Sequence, residues 1–210
     1  MSAVTGGPVE RHSVRRRRGD DSRHEQLLGE LEELLLAEGF TTLTVDDIAA
    51  RLHCSKATLY RIASSKERLV VTVTKHFFRH SAERVEAAVD RETDPRRRIA
   101  TYIAEIGQAM NRHSAAFFTD MLGYPPTAEI YQQNADVAAR RVSELIHEGV
   151  RDGSFRPVNG EFVSRLVNLA MHALGTGALL DSSDLSVGEA LTQLSDLVIN
   201  GIASAEPGRV

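Results

Sequence analysis

Cysteine, tryptophan and aromatic residues are scarce in this sequence. Its 210 residues include one cysteine, no tryptophan, seven phenylalanines and four tyrosines. One cysteine excludes a disulfide framework and a cysteine-based zinc site. We expect Cys54 to pack as a small hydrophobic side chain, with a redox switch as the less favoured alternative. The shortage of aromatic residues also argues against a large aromatic cage for a ligand.

Long apolar runs are missing as well. The longest candidate, residues 170–180, is interrupted by His172 and Thr176 and is much shorter than the roughly 20 residues that a membrane-spanning helix needs. The arginines near the start lead into an acidic pair, Asp20 and Asp21, without the apolar core of a signal peptide. These absences predict a cytoplasmic protein with no membrane partner.

The charge distribution separates the two ends of the chain. The formal net charge of −4 at pH 7 combines a net +1 over residues 1–75 with a net −5 over residues 76–210. Residues 11–23 alone hold six arginines and two aspartates. Affinity for a polyanion depends on the local positive potential rather than on the average over the chain. The N-terminal third is therefore the part that could face DNA.

Helical periodicity dominates the sequence, and no segment alternates as a strand would. Asp94 followed by Pro95 is typical of a capped helix start with proline in the first helical position. We expect a flexible basic tail at residues 1–21, a first domain at 22–70 and a second at 71–210. The prediction is an all-α fold with about nine helices, near residues 22–38, 44–52, 55–63, 64–90, 95–112, 117–122, 127–151, 160–181 and 186–203.

The last two predicted helices have different patterns. The first is apolar nearly all round, which is typical of a helix buried on more than one side. The second carries a narrower apolar stripe close to heptad spacing. We predict that both helices form a homodimer interface, with a monomeric core as the alternative. The predicted interface residues are Leu166, Ala170, Ala173, Gly177, Leu191, Leu194 and Val198.

Residues with short polar side chains precede two short predicted helices and a longer third one. Thr44 and Asp47 resemble a capping box at the start of the first, and Ser55 is placed to cap the second. Ser64 with Glu67 is predicted to form a capping box for the third. The positions expected to face inward are Val45, Ile48, Ala49 and Leu52 in the first helix and Leu59, Ile62 and Ala63 in the second. Two short helices joined by a tight turn form the helix-turn-helix arrangement.

The exposed start of the second short helix suits entry into the major groove of DNA. Ala57 and Thr58 are small enough for close approach to a thymine methyl group or a base edge. Lys56 and Arg61 have the reach to contact guanine or phosphate. A solvated helical hairpin in an ordinary bundle is the alternative. The candidate DNA contacts, including those expected to grip phosphates, are Thr44, Ser55, Lys56, Ala57, Thr58, Tyr60, Arg61 and Lys66.

Three short runs carry a family resemblance. Residues 44–49 read Thr-Val-Asp-Asp-Ile-Ala, residues 55–60 read Ser-Lys-Ala-Thr-Leu-Tyr, and residues 65–67 read Ser-Lys-Glu, followed by Leu69. With these runs, the segment from about residue 25 to 70 resembles the DNA-binding domain of the TetR/AcrR family of bacterial transcriptional regulators. The resemblance implies an N-terminal three-helix DNA-binding domain and a C-terminal helical domain that binds a ligand and dimerises through its last two helices.

Two positions depart from the family pattern. His53 stands in the turn where the family usually has glycine, so a left-handed backbone conformation there would carry some strain. Ala63 stands where the family usually has an aromatic residue, commonly phenylalanine. A void is expected beside Ala63 unless Ile62 or a neighbouring leucine repacks. Neither departure removes a residue that is expected to contact DNA.

The resemblance also implies an apolar cavity in the C-terminal domain for an unknown small-molecule inducer. Each candidate lining residue has ordinary core packing as its alternative. His113 and His172 could hydrogen-bond to a polar group of the ligand. No cofactor is expected. From the faces of the predicted helices, the candidate lining residues are Phe77, Tyr102, Ile106, Met110, Phe117, Phe118, Met121, Tyr131, Leu169 and His172.

Motifs for catalysis or metal binding are not apparent. The sequence has no Gly-x-Ser-x-Gly, no Walker-type loop and no Gly-x-Gly-x-x-Gly after a strand, so we expect no enzyme activity. His76 and His80 lie four residues apart, which is the spacing of two metal ligands on one helix, but no Glu-x-x-His context accompanies them. We therefore expect no metal site.

The patterns and the family resemblance together imply a homodimeric repressor that reads a palindromic operator in double-stranded DNA and is released by a small molecule. The N-terminal arginines, Arg11 and residues 15–18, are expected either to attract phosphate nonspecifically or to act as an arm in the minor groove. A helical dimer of the same fold that acts through protein–protein contacts, without a specific operator, is the alternative.

Overall fold

The computed structural model describes residues 9–180, 185 and 187–203. Over these residues the chain forms nine α-helices and a single isolated antiparallel bridge, between Phe155 and Ala203. The predicted all-α class and helix number are therefore confirmed for the described part. The helices are α1 (Val9–Glu38), α2 (Val45–Arg51), α3 (Lys56–Ile62), α4 (Lys66–Val89), α5 (Pro95–Asn111), α6 (Ala115–Gly123), α7 (Pro125–Arg151), α8 (Gly160–Gly175) and α9 (Val187–Ile202).

Side-chain caps set the starts of most helices. The Asp94 carboxylate accepts the Arg96 N–H, with Pro95 in the first turn, as predicted for α5. The start of α4 differs from the prediction by one residue, because Ser65 and not Ser64 accepts the Arg68 N–H. The Ser64 hydroxyl instead accepts the Arg68 guanidinium. Each cap satisfies a backbone donor that a helix start would otherwise leave unpaired.

Two helix ends lie away from the predicted positions. The helical backbone of α1 is already formed at Val9, well before the start predicted at residue 22. Residues 1–8, and the side chains of Arg11 and residues 15–18, lie outside the described part, so the basic-tail hypothesis stays a prediction. At the other end, α8 stops at Gly175 and not at 181, because Gly177 takes a left-handed φ of +79° and its N–H donates to the Leu174 carbonyl. A glycine in this conformation is the usual helix terminator.

Two hydrophobic clusters hold the helices together. The first cluster contains residues of α1, α2, α3, α4 and α6, and it includes the fully buried Leu31, Ile48 and Leu59. The second cluster contains residues of α4, α5, α7, α8 and α9, with Ile103 and Phe155 among its buried residues. Because α4 contributes to both clusters and α6 packs with the first, the N-terminal helices are anchored on the rest of the chain. Burial of this kind contributes about 25 cal/mol for each Å² of apolar surface.

None of the helices in the described ranges is both long enough and apolar enough to cross a membrane.

Candidate DNA-binding surface and ligand cavity

The first short helix, α2, begins with the predicted capping box. The Thr44 hydroxyl accepts the Asp47 N–H at 3.2 Å, and the Asp47 carboxylate accepts the Thr44 N–H at 2.8 Å. The Thr44 hydroxyl also donates to that carboxylate at 2.6 Å. These hydrogen bonds hold the pKa of Asp47 below its ordinary value. The same contacts fix the entry of the chain into the helix-turn-helix.

The turn between α2 and α3 has the strain expected at its departure from the family pattern. His53 adopts a φ of +47° and is the only non-glycine residue with positive φ in the described part of the chain. A left-handed conformation costs a residue with a Cβ roughly 1–2 kcal/mol. The next residue, Cys54, packs against the first hydrophobic cluster, and burial raises the pKa of its thiol. A protonated, packed thiol fits the structural role predicted for it.

The second short helix, α3, places one side in the core and leaves its start open to solvent. Leu59 is fully buried, whereas Lys56, Ala57, Tyr60 and Arg61 are exposed. The Ser55 hydroxyl caps the helix by accepting the Thr58 N–H at 3.1 Å. All eight candidate DNA contacts are exposed or half-buried.

Two lysines of the candidate DNA surface have partners within the chain. The Lys56 ammonium lies 2.6 Å from the Asp46 carboxylate, and this hydrogen bond raises the pKa of Lys56. Lys66, at the first position of α4, donates to the Thr41 carbonyl at 3.2 Å. Sequence reasoning missed both contacts, because each joins residues on different elements. Both lysines would have to exchange a partner to contact phosphate.

An open depression lies beside Ala63, where the family usually has an aromatic ring. Its volume is about 430 Å³, and Ile62, Ala63 and Tyr124 are among its lining residues. Ile62 is half-buried and lines the depression without filling it. The expected void is therefore present, and it is open to solvent.

A cavity of about 180 Å³ lies among α4, α5, α6, α7 and α8. It is comparable to the engineered 150 Å³ cavity that binds benzene in another protein. The wall is largely apolar and contains seven of the ten predicted lining residues: Phe77, Tyr102, Ile106, Met110, Phe118, Met121 and Tyr131.

The other three predicted lining residues lie elsewhere. Phe117 is fully buried in the first hydrophobic cluster, because its side of α6 faces α1. Leu169 is 67% exposed on the outer side of α8. His172 is exposed, and its Nδ1 pairs with the Tyr131 hydroxyl at 3.0 Å. A helical pattern shows which residues share a face but not which neighbour that face meets, and this is why the sequence placed these three residues in the wall of the cavity and the structure does not.

Two buried polar atoms in the cavity wall have no hydrogen-bond partner: Ser81 Oγ and His113 Nδ1. They are the only side-chain atoms in this condition among the residues that the structure describes. Burial lowers the pKa of His113, so its imidazole is neutral near pH 7, and it stacks on Phe118 with ring centroids 5.2 Å apart. Leaving such groups unpaired costs about 1–3 kcal/mol each.

The other ionisable groups of the cavity are paired or neutral. Glu86 accepts hydrogen bonds from the Arg141 guanidinium at 3.1 and 3.2 Å. Burial raises the pKa of Tyr131 to about 12 and raises that of Tyr102 as well. The cavity therefore presents neutral hydrogen-bonding groups on an apolar wall.

The short helix α6 contacts both the cavity and the helix-turn-helix region. Phe118 and Met121 line the cavity, while Phe117 packs edge-on against Phe40, with ring centroids 6.0 Å apart. The Asp120 carboxylate accepts the backbone N–H groups of Phe40 at 2.6 Å and Thr41 at 2.8 Å. Partial burial acts to raise the pKa of Asp120, but these N–H donors bring it below its ordinary value.

The backbone next to that carboxylate requires glycine. Gly39 follows α1 with a φ of +78°, and a Cβ there would lie 2.6 Å from Asp120 Oδ2. Both the left-handed conformation and the close approach exclude a side chain. The loop that leads into α2 is therefore held directly against α6.

Comparison with known families identifies the N-terminal part. The family model described as bacterial regulatory proteins, tetR family, matches residues 27–73, which contain α2, the strained turn and α3. Residues 27–73 therefore match the DNA-binding part of the TetR family. Members of this family are DNA-binding transcriptional regulators rather than enzymes, and they are typically dimers that respond to small molecules.

Individual relatives agree with this assignment. A stretch of 59 residues is 41% identical to YdeS, an uncharacterised HTH-type transcriptional regulator of Bacillus subtilis, and covers 28% of this chain but only 30% of YdeS. Over 141 residues the chain is 26% identical to the HTH-type transcriptional repressor KstR2 of Mycolicibacterium smegmatis, covering 65% of this chain and 69% of that protein.

A solved structure shares the fold over nearly the whole chain. It is a transcriptional regulator from Saccharomonospora viridis in complex with choline, with a TM-score of 0.74 and 18% identity, covering 88% of this chain and 100% of that one. The chain therefore shares its all-α fold with that regulator, as its sequence pattern predicted.

The outer surface of α8 and α9 carries exposed apolar side chains. Phe162, Leu166 and Leu169 follow each other at helical spacing on α8, and Leu197 is exposed on α9. The predicted interface needs correction on α9, where Leu191 and Val198 are buried in their own chain, and Leu194 is half-buried against the second cluster. Ala170, Ala173 and Gly177 are half-buried. Apolar residues at helical spacing do not show whether that face of the helix packs against its own chain or against a partner chain.

Proposed function

We propose that this TetR-family regulator is a homodimeric repressor that binds a palindromic operator through α3 and releases it when a small molecule fills the cavity. The observation that carries the proposal is the exposed, side-chain-capped start of α3, where Lys56, Ala57, Thr58 and Arg61 all reach solvent. A helix start of this kind enters the major groove with its first turn against base edges.

The roles of the contact residues follow from their chemistry. Ala57 and Thr58 are short enough to let the helix approach bases, so they are assigned to sequence readout. Tyr60 and Lys66 carry single polar atoms on longer side chains and are assigned to phosphate. Two copies of α3 related by a two-fold axis would read half-sites about one helical turn apart.

Replacing Lys66 with alanine is expected to weaken binding to all operator sequences by roughly the same factor, about tenfold. The slope of log affinity against log salt concentration should also become shallower by about one, the contribution of one phosphate contact. Thr58→Val is expected to change which base is preferred at one position of each half-site. Fluorescence anisotropy with a set of single-base operator variants, at several salt concentrations, measures both effects. Lys75→Ala, an exposed lysine farther along α4, is the matched control and should bind as the wild type does. A Lys66→Ala protein with altered preference and unchanged affinity would contradict these roles.

The position of α6 supports a route from the cavity to the DNA surface. A ligand that displaces Phe118 and Met121 would move the same helix whose Phe117 and Asp120 hold the loop before α2. Such a ligand shifts the population between two dimer geometries only to the extent that it binds one better than the other. Operator release then follows when the favoured geometry no longer matches the half-site spacing.

The lining of the cavity favours a neutral, largely apolar ligand with a hydroxyl group. Ser81 Oγ and His113 Nδ1 lack partners, whereas the one carboxylate of the wall, Glu86, is held by Arg141. A hydroxyl could satisfy an orphan group while the rest of the ligand contacts apolar wall. A cation would find no free carboxylate there.

We expect 4-ethylphenol to bind about tenfold more tightly than ethylbenzene, because a hydrogen bond to a buried orphan group is worth roughly 1 kcal/mol or more. Calorimetric titration of both compounds measures the difference. The His113→Phe variant keeps a ring against Phe118 but removes the nitrogens. Its affinities for 4-ethylphenol and ethylbenzene should become nearly equal. His147→Phe, an exposed histidine outside the cavity wall, should leave the difference unchanged. Equal binding of both compounds to the wild type, or preferential binding of choline, would refute this ligand class.

The exposed apolar stripe on α8 and Leu197 on α9 support dimerisation through these two helices. Large apolar side chains on one continuous surface are typical of a protein–protein contact. As a DNA-binding regulator the protein is inferred to act in the cytoplasm.

One observation favours the alternative of protein contact without a specific operator. Lys56 is already paired with Asp46, so part of the positive charge at the start of α3 is neutralised. Selection of bound fragments from a random duplex pool separates this alternative from operator binding.

A further inference from the structure

Three potential metal ligands meet where α1 crosses α4. One potential ligand atom from each of Glu25, His76 and His80 lies within 4.8 Å of the other two. The Glu25 oxygen is 3.3 Å from His76 Nε2 and 3.9 Å from His80 Nε2. The two imidazoles come from consecutive turns of α4, and the carboxylate comes from α1. This is the acidic partner that the sequence around the two histidines lacks.

A buried carboxylate orients the first of the two imidazoles. His76 Nδ1 lies 2.6 Å from Glu32 Oε2, and both side chains are only 5% exposed. Glu32 in turn accepts a hydrogen bond from the Arg112 guanidinium at 3.0 Å. With Nδ1 engaged, Nε2 of His76 is left facing Glu25 Oε1, and the His80 ring lies beside it with ring centroids 4.0 Å apart. A histidine whose second nitrogen is held by a carboxylate is the usual arrangement around protein-bound zinc.

We propose that Glu25, His76 and His80 form a binding site for a divalent first-row transition metal, with Zn²⁺ as the best fit. Two imidazoles and one carboxylate leave a fourth tetrahedral position for water. Ligand bonds of about 2.0–2.1 Å place the ligand atoms of a tetrahedron about 3.4 Å apart, close to the 3.3 and 3.9 Å separations from Glu25. Imidazole nitrogen also favours Zn²⁺ over Mg²⁺ and Ca²⁺, which prefer oxygen ligands.

The surroundings permit a metal ion to enter. Glu25 and His80 are 57% and 40% exposed, so the site opens to solvent on one side and rests on buried His76 on the other. The Arg79 guanidinium lies 4.0 Å from Glu25 Oε1 and is itself exposed. It can swing into solvent when a metal ion takes its place beside the carboxylate.

Metal binding at this position would tie the DNA-binding region to the ligand-binding region. Glu25 belongs to α1, which shares the first hydrophobic cluster with α2 and α3. The two histidines lie on either side of Phe77 in α4 and come before Ser81, and both Phe77 and Ser81 line the cavity. A metal bridge between α1 and α4 restricts their relative movement. The site itself does not depend on the proposed operator or ligand.

The test is metal titration of the full chain, purified without a polyhistidine tag and freed of metal by a chelator. Co²⁺ is expected to bind with one equivalent per chain and to give the visible absorption of a four-coordinate site, which Zn²⁺ then removes. His80→Ala and Glu25→Gln should each weaken binding at least about tenfold, by comparison with metal-site variants elsewhere. His24→Ala, an exposed histidine next to Glu25 on the same helix, should bind as the wild type does.

The choice of variants keeps the test independent of folding. Glu25 is exposed and His80 is half-buried outside both hydrophobic clusters, so their replacement leaves the core intact. Loss of His76 would instead leave Glu32 buried without one of its partners. Circular dichroism of each variant checks the helical content. Unchanged metal affinity in both His80→Ala and Glu25→Gln, or the absence of stoichiometric Co²⁺ binding by the wild type, would overturn the proposal.

Discussion

Ala57→Glu is expected to abolish operator binding while leaving the protein folded. Ala57 lies in the exposed first turn of α3, where the account places DNA bases and phosphates. A carboxylate there would meet the phosphate backbone and the acceptor-rich major groove, and we expect at least a hundredfold loss of affinity, or about 2.7 kcal/mol. The fold should survive, since an acidic residue near a helix N-terminus is favourable for the helix.

The matched control is Ala87→Glu, which makes the same change at an exposed position of α4 outside the helix-turn-helix. Operator affinity is measured by anisotropy for both variants, and thermal unfolding is followed by circular dichroism. We expect the control to bind the operator nearly as the wild type does. Retention of binding within a few-fold by Ala57→Glu would mean that α3 does not enter the groove.

Leu166→Glu combined with Leu169→Glu is expected to dissociate the dimer. Both side chains are more than half exposed on the outer side of α8, beside the equally exposed Phe162. In a dimer they become buried, and burying two unpaired carboxylates is unfavourable by several kcal/mol. Because neither position contributes to the core of its own chain, the monomer should remain folded.

Sedimentation velocity measures the oligomeric state of this double variant, and anisotropy measures its operator affinity. We expect a monomer that binds a full palindrome little better than it binds a half-site. Ala57→Glu serves as the reciprocal control, since it should remain a dimer while it fails to bind DNA. A double variant that stays dimeric would place the interface away from α8.

Local signals explain why the DNA-binding region could be read from the sequence. Thr44 with Asp47, and Ser55 with the Thr58 N–H, form caps within four residues of chain. The inward spacing of Ile48 and the strain at His53 are likewise local properties. The hydrogen bonds and packing that define this motif need no knowledge of distant residues.

Contacts between distant segments were beyond the sequence pattern. Glu25 lies 51 residues from His76, so nothing near the histidines indicated a carboxylate partner. The apolar stripe of α9 predicted an interface, but Leu191 packs against Gly107 of its own chain, where a Cβ would lie 2.6 Å from the leucine. Periodicity identifies an apolar face, and only the tertiary arrangement decides what covers it.

Selection of bound fragments from a random duplex pool by the purified chain, near physiological salt, tests the central claim most directly. We expect enrichment of one palindrome whose half-sites lie about one helical turn apart, with binding that is lost in Ala57→Glu. Binding that is only nonspecific and salt-sensitive, with no enriched sequence, would contradict operator recognition and favour a dimer that acts through protein contacts.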